Sequence, residues 1–345
     1  MEPVTHALAS LALARAGKKH LPRFGTAMLI VAGVAPDLDY ASYFGGAAWF
    51  LRFDRTLLHS LLASIVFIGV IGGAFYFVSA TRDGRGDSGG GTPVRSKFPL
   101  GAALIVCMIG VAGHLLLDVV SGVGVQLLWP FRERWFAFDL VDNFDIWILA
   151  FLSVGLLLPM LTGLVSEEIG ERKTSGRGRA SAIAALVLIV AYVGIRGFLH
   201  SRAVDLLQSS DYHGRVPLAA GAFPKSMSPL EWRGVVSTDN TIEEVQVSFA
   251  GGHEFDPEHS YTQYKPDDSP VLQAGEQTDA AQRFLEYARF PVASVVGMGD
   301  RNRFELRDER FDTNDSGPAN TLVRVEIGGG QQVLSEEFLF ASSGR

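Results

Sequence analysis

Four apolar runs, 57–79, 98–121, 143–165 and 180–199, decide what this chain can fold into. Each matches the roughly 20 residues that a helix needs to cross a bilayer. Two further apolar stretches precede them, 3–16 and 24–46. The first is too short for an ordinary span. The second is broken by Pro36-Asp37-Leu38-Asp39, where regular helix gives out. The expected architecture is mainly α: a polytopic transmembrane helix bundle with four clear spans plus an N-terminal helical hairpin turning around Lys18–His20. The start, MEPVTHALASLALARAG, carries Glu2 and His6 where a signal peptide would be basic. It therefore reads as a short helix retained in the protein.

The character of the chain changes at about residue 200. Residues 1–200 hold 17 Lys+Arg against 14 Asp+Glu, a net of +3, and residues 201–345 hold 13 against 23, a net of −10. The second part alternates in short runs, Glu244–Ala250, Phe284–Tyr287, Val292–Val296, Phe304–Arg307 and Leu322–Ile327, set apart by Gly, Pro, Asp and Asn. This predicts a bundle over 1–200 followed by an acidic, soluble, β-rich domain over 201–345. The stretch EFDPEHSYTQYKPDDSP, without periodicity, predicts loop. An acidic domain argues against nucleic acid as a partner, whereas membrane lipids are implied by the spans. The lone Cys107 lies in a spanning run and reads as a small buried hydrophobe, leaving no disulfide or thiolate site.

Basic residues orient the bundle. Arg15, Lys18, Lys19 and Arg23 fill the first link, Arg82, Arg85, Arg95 and Lys97 a Gly-rich one, and Arg172, Lys173, Arg177 and Arg179 a third. The opposite links hold only Arg52 with Arg55, and Arg132 with Arg134. The positive-inside rule places the three richer links in the cytoplasm and residues 201–345 outside it. Pro36–Asp39, His59, His114 with Asp118, and Asp142 with Asp145 then all reach the outer half of the membrane. His6 joins them, since it lies 14 residues before residue 20 and Asp37 lies 17 after it, similar heights along two paired helices.

That convergence gives the candidate residues a common site. His114 and Asp118 are four apart on one helix face inside an apolar run, which suits a metal, a structural hydrogen bond or a proton relay. Imidazole and carboxylate together favour a divalent ion, Zn or Mn. Asp37 and Asp39 follow a proline and supply either a ligand and its supporting acceptor or a turn cap. His59 is a ligand or an interfacial histidine, with Asp54 and Arg55 close to it in sequence, and His6 is a ligand or a helix-start cap. Asp142 and Asp145 share a face or cap the next helix. Ser60 has no elbow or partner that would make it a nucleophile. Trp129, Trp135 and Trp147 read as an interfacial belt, and His200, His213, His253 and His259 as surface or domain residues.

Thr5-His6, Pro36-Asp37-Leu38-Asp39, Arg55 followed by His59-Ser60, Gly113-His114-Leu115-Leu116-Leu117-Asp118 and Leu128-Trp129-Pro130-Phe131, in that order, resemble the predicted membrane-bound metal-dependent hydrolases, the YdjM-like bacterial inner-membrane proteins. The resemblance is strong over about 1–165, and PLEWRGVV, EYARFP and FELRDERF look like the outer domain of longer members. It implies a multi-pass protein of the bacterial cytoplasmic membrane and selects His6, Asp37, Asp39, His59, His114 and Asp118. Where the family usually has His-Arg-Gly-x-Thr-His-Ser, this chain has Asp54-Arg55-Thr56-Leu57-Leu58-His59-Ser60, so a hydroxyl residue gives way to Leu58.

The function expected on these grounds is hydrolysis by a metal-activated water. His6, Asp37, His59, His114 and Asp118 are the metal ligands, with Asp54 and Asp142 as additional candidates. Asp39 serves as general base or supporting acceptor, and Arg55 neutralises developing negative charge. The substrate expected is an amphiphilic molecule such as a lipid-linked ester or phosphoester. Two alternatives stand beside it: an ion or solute transporter using the same buried groups, and a membrane scaffold with a structural metal site. The transporter requires a polar path through the inner half, where Ile65–Phe77 and Leu186–Val193 carry almost nothing ionisable.

Overall fold

The computed structural model describes residues 1–85, 99–168, 178–225, 227–251, 255–311 and 321–340. Arg95, Lys97, Arg172, Lys173, Arg177 and His253 lie outside the described residues. Helices α1 (Pro3–Gly17) and α2 (Gly25–Val34) lead through a 3-10 stretch, Ala35–Gly45, to a short α3 (Ala47–Phe53). The long helices α4 (Leu61–Arg85), α5 (Leu100–Val119), α6 (Ile146–Glu168) and α7 (Arg179–Ser209) follow. The chain then forms two compact units, one of Met1–Asp39 with Arg55–Arg196, the other of Tyr40–Asp54 with Gly197–Arg345.

Among the described residues, α4 over Leu61–Thr81, α5 and α7 are long and apolar enough to cross a membrane. α6 offers a shorter apolar stretch, Ile146–Thr162. The faces of α5 explain how an almost wholly apolar helix still specifies its packing. Ala103, Cys107, Gly110, Val111, His114 and Asp118 are buried along one stripe, while Ile105, Met108, Ile109 and Leu116 face outward as a lipid-exposed helix requires. The stripe meets Met28, Leu29 and Ala32 of α2. A side chain is not tolerated where they cross. A Cβ on Gly110 would sit 2.8 Å from the Leu29 carbonyl oxygen and 3.1 Å from the Gly33 nitrogen, and one on Gly33 would overlap Ser10 Oγ. On the other side, Ala9 and Ala12 of α1 pack with Ile148, Leu152 and Leu156 of α6 and Ile189 of α7.

Residues 120–145 form a folded connection. Val125 and Phe136 exchange backbone hydrogen bonds of 3.0 and 2.9 Å, and the Leu140 N–H donates to the Val120 carbonyl at 2.9 Å. The connection is tied to the segment before α4 by Gln126 N–H to Arg55 O and Leu61 N–H to Leu127 O, both 2.9 Å. It therefore carries Arg55 and His59 along with it.

The second unit contains two four-stranded antiparallel meanders. β1 (Ala219–Pro224), β2 (Glu231–Ser237), β3 (Thr241–Ser248) and β4 (Tyr261–Tyr264) lie in sequence order in one sheet. Helices α8 (Pro270–Glu276) and α9 (Asp279–Tyr287) precede the second sheet, which is β5 (Pro291–Met298), β6 (Arg301–Asp308), β7 (Thr321–Gly328) and β8 (Val333–Phe340). Alternation sets the core: Phe304 and Leu306 on β6 and Val323, Val325 and Ile327 on β7 pack against Ala280, Ala281 and Phe284 of α9.

Two sequence expectations are corrected here. Phe284–Tyr287, expected as a strand, is the last turn of α9, whose buried Ala280, Ala281 and Phe284 recur at helical spacing. Four residues are too few to separate the two periods. Part of the expected loop, Tyr261–Tyr264, is β4, an edge strand whose Tyr-Thr-Gln-Tyr sequence hides any alternation. β2 escaped the alternating runs because Trp232 through Val236 are buried on both faces.

Candidate metal centre

Four pieces of the first unit bring ionisable groups to one buried place. The second turn of α1 contributes His6, the 3-10 stretch Asp37 and Asp39, the turn before α4 Arg55 and His59, and the end of α5 His114 and Asp118. Asp118 is fully buried, and none of the seven is more than 7% exposed.

Local structure explains each placement. Glu2 caps α1 by accepting the Thr5 N–H at 2.9 Å, which leaves His6 without a capping duty. Proline 36 follows α2 and helps divert the chain into the 3-10 stretch that turns Asp37 and Asp39 inward. The glycine crossing of α2 and α5 sets His114 against the end of α2, where its Nδ1–H donates to the Gly33 carbonyl at 2.8 Å. A carbonyl only accepts, so Nδ1 bears the proton and Nε2 presents a lone pair.

The other two imidazoles are held the same way round. His6 Nδ1 is hydrogen-bonded to Asp37 Oδ2 at 3.0 Å, and His59 Nδ1 lies 2.7 Å from Asp39 Oδ2. Asp39 Oδ2 also accepts the Arg55 N–H at 2.9 Å. His6 and His114 thus each hold Nδ1 on an oxygen, and His59 Nδ1 has a carboxylate oxygen beside it without an aligned hydrogen bond, an arrangement that turns the Nε2 atoms toward a common point.

The three Nε2 atoms converge on Asp118. His59 Nε2 and His114 Nε2 are 3.0 Å apart and each lies 3.0 Å from Asp118 Oδ2, while His6 Nε2 lies 3.4 Å from Asp118 Oδ1. Asp37 Oδ1 stands 3.9 Å from His114 Nε2. His6 Nε2 and Asp118 Oδ2 are buried and make no hydrogen bond among the described residues. Donor atoms about 2.0–2.1 Å from one ion are separated by about 3.3 Å in a tetrahedron and about 3.0 Å in an octahedron. The three separations among His59 Nε2, His114 Nε2 and Asp118 Oδ2 match such edges. Two groups, His6 with His114 and Asp118, and Asp37 with His59 and His114, each keep their ligand atoms within 4.8 Å of one another and can chelate a divalent ion. Three carboxylates beside the Arg55 guanidinium and the Met1 amino group still leave one negative charge that a proton on an imidazole or a dication must offset.

Arg55 stands at φ +54° and is buried. Its Nη1 donates to Asp118 Oδ1 at 2.9 Å, and its Nη2 to Met1 O at 3.1 Å and Asn143 Oδ1 at 2.7 Å. The Met1 amino group also donates to Asp118 Oδ1. The guanidinium therefore faces the site's own carboxylate.

The remaining candidates fall elsewhere. Asp54 ends α3, belongs to the second unit and is in neither chelating group. Asp142 is also in neither group, and its Oδ1 accepts the Asn143 N–H at 2.6 Å. Asp145 caps α6 through the Trp147 and Ile148 N–H groups, both at 3.0 Å. Ser60 caps α4, donating to Leu57 O at 2.8 Å and accepting the Ala63 N–H at 3.1 Å. In the second unit, the His200 ring lies against Trp232, and His259 is exposed and bonded to Asp256. Sequence reasoning did not single out Asn143 and had no signal for the Gly33 carbonyl, since a backbone oxygen leaves no trace in residue type.

Residues 1–203 match a family model described as YdjM inner membrane protein. No curated protein and no solved structure matches.

Proposed function

The chain belongs to the YdjM inner-membrane protein family, a multi-pass protein with an extramembranous β-rich C-terminal domain, and on that premise we propose that it is a metal-dependent hydrolase. The observation that supports this most is the convergence of three imidazole Nε2 atoms on Asp118 at 3.0–3.4 Å, with the Nδ1 atoms of His6 and His114 hydrogen-bonded to oxygens and that of His59 beside Asp39. His6, His59, His114 and Asp118 bind the ion, while Asp37 orients His6 through Oδ2. Zn or Mn suits this mixture of nitrogen and oxygen donors. A divalent ion bound here supplies Lewis-acid polarisation of the electrophile and lowers the pKa of water at an open position.

The chain's own residues do the rest. Asp39 sits behind His59 as a supporting acceptor and orients the ring through Oδ2. Arg55 compensates the charge of Asp118 and keeps it in place. α6 is a fourth span, α1 and α2 form an inserted hairpin, and the basic links face the cytoplasm, so the site opens toward the outer leaflet and the β-rich domain is extracytoplasmic. Lipid-linked esters and phosphoesters are the substrates that such a position admits.

The test uses detergent-purified protein in mixed micelles with lipid esters and phosphoesters. The expected result is hydrolysis that a chelator abolishes, that Zn or Mn restores, and that Asp118→Asn lacks. Hydrolysis indifferent to both chelator and substitution contradicts the proposal.

A further inference from the structure

The connection before α6 holds a polar network that the metal ligands do not use. Tyr192 and Arg196, four residues apart on one face of α7, both reach it. The Tyr192 hydroxyl donates to Asp145 Oδ2 at 2.9 Å, and Arg196 Nε donates to the Leu140 carbonyl at 2.8 Å. Arg196 is only 1% exposed. An arginine at this depth is costly unless its bonds accomplish something. Its bond grips one end of a six-residue segment, and Asp145, which also caps α6, is gripped at the other. Between them lies Asn143, whose Oδ1 accepts a hydrogen bond from the Arg55 guanidinium, 2.7 Å from Nη2.

The guanidinium is a rigid planar fork, so fixing Nη2 also fixes the direction of Nη1. Nη1 donates to Asp118 Oδ1, and Oδ2 is left 3.0 Å from the Nε2 atoms of His59 and His114. We infer that Asn143 is a positioning residue of the metal centre: clamped from α7 by Tyr192 and Arg196, it locks Arg55 onto one oxygen of Asp118, so that Asp118 offers the ion a single oxygen. The inference rests on the metal reading above. Its chemical purpose is a low coordination number. With Arg55 released, Oδ1 is held by the Met1 amino group alone, and the carboxylate turns both oxygens to the ion and fills the position that water or substrate needs.

Cobalt(II) reports coordination number directly, because its visible absorption weakens severalfold as four- and five-coordinate sites gain ligands. The full-length protein, stripped and loaded with cobalt(II) alone, is compared with Asn143→Ala and Asn143→Asp. The expected result is one cobalt per chain in all three, a severalfold weaker visible band in Asn143→Ala, and a wild-type band in Asn143→Asp, whose carboxylate still engages Arg55. A band in Asn143→Ala that superimposes on wild type overturns the inference. So does an Asn143→Asp band that departs as far as the Ala one, because the effect is then structural. If Asn143→Ala does not fold, Asn143→Ser, too short to reach Arg55, is read by the same criteria. Wild type that takes up no cobalt overturns the metal reading itself, a result distinct from a bound metal whose spectrum does not respond.

Discussion

Asp39 spends one carboxylate oxygen on two neighbours, the His59 ring 2.7 Å away and the Arg55 N–H at 2.9 Å, and so governs how His59 faces the ion. Asp39→Asn should weaken metal affinity by about 10–100-fold without abolishing binding, as loss of a group that orients a ligand does. Competition with a chelating dye measures this, and unchanged affinity contradicts the orienting role. Ser60 supplies the contrast. It neighbours His59 but caps α4, so Ser60→Ala should cost about 1 kcal/mol of stability in thermal unfolding and leave metal affinity at the wild-type value. At this scale the sequence was informative wherever a side chain carries the chemistry: His6, Asp37, Asp39, His59, His114 and Asp118 are rare ionisable residues in apolar surroundings. It was silent about the Gly33 carbonyl and indirect about Asn143. It pointed Arg55 toward substrate charge, while the fold gives the guanidinium Asp118, Met1 O and Asn143 as partners.

The crossing of α2 and α5 is the element-scale feature on which the centre depends. Gly110 lies one turn before His114, and a methyl group there would press on the Leu29 carbonyl oxygen from 2.8 Å. Gly110→Ala should separate the helices, destabilise the protein by about 1–3 kcal/mol as overpacking does, and lengthen the His114 to Gly33 hydrogen bond. Gly69 on α4 has nothing within 4 Å of a Cβ, and Gly69→Ala should unfold at or above the wild-type temperature. Equal destabilisation by both would mean that the crossing is not special. Long elements were legible from composition alone, since α4, α5 and α7 coincide with apolar runs of bilayer length. Short ones were not. α9 and β4 span nine and four residues, and at that length side-chain pattern is decided by which neighbour covers the element.

At the scale of the whole molecule, the charge break near residue 200 falls where apolar helices give way to antiparallel sheets, and order along the chain pointed to candidate ligands that the fold brings together. The excursion of Tyr40–Asp54 into the second unit was not legible, because its anchors, Tyr43 and Phe50 against Phe340, join residues almost 300 positions apart. The proposed orientation makes a direct prediction. Cys107 is buried, so Glu258→Cys provides the single exposed thiol among the described residues, and an impermeant thiol reagent should label it in intact cells. Labelling only after lysis would place the β-rich domain in the cytoplasm. The central claim is that the buried histidines and aspartates hold a metal. Elemental mass spectrometry of detergent-purified wild type beside a His114→Ala/Asp118→Ala variant tests it most directly. The account predicts near-stoichiometric divalent metal in wild type and its loss in the variant; folded wild type that stays metal-free after supplementation, or a variant that keeps its metal, would contradict it.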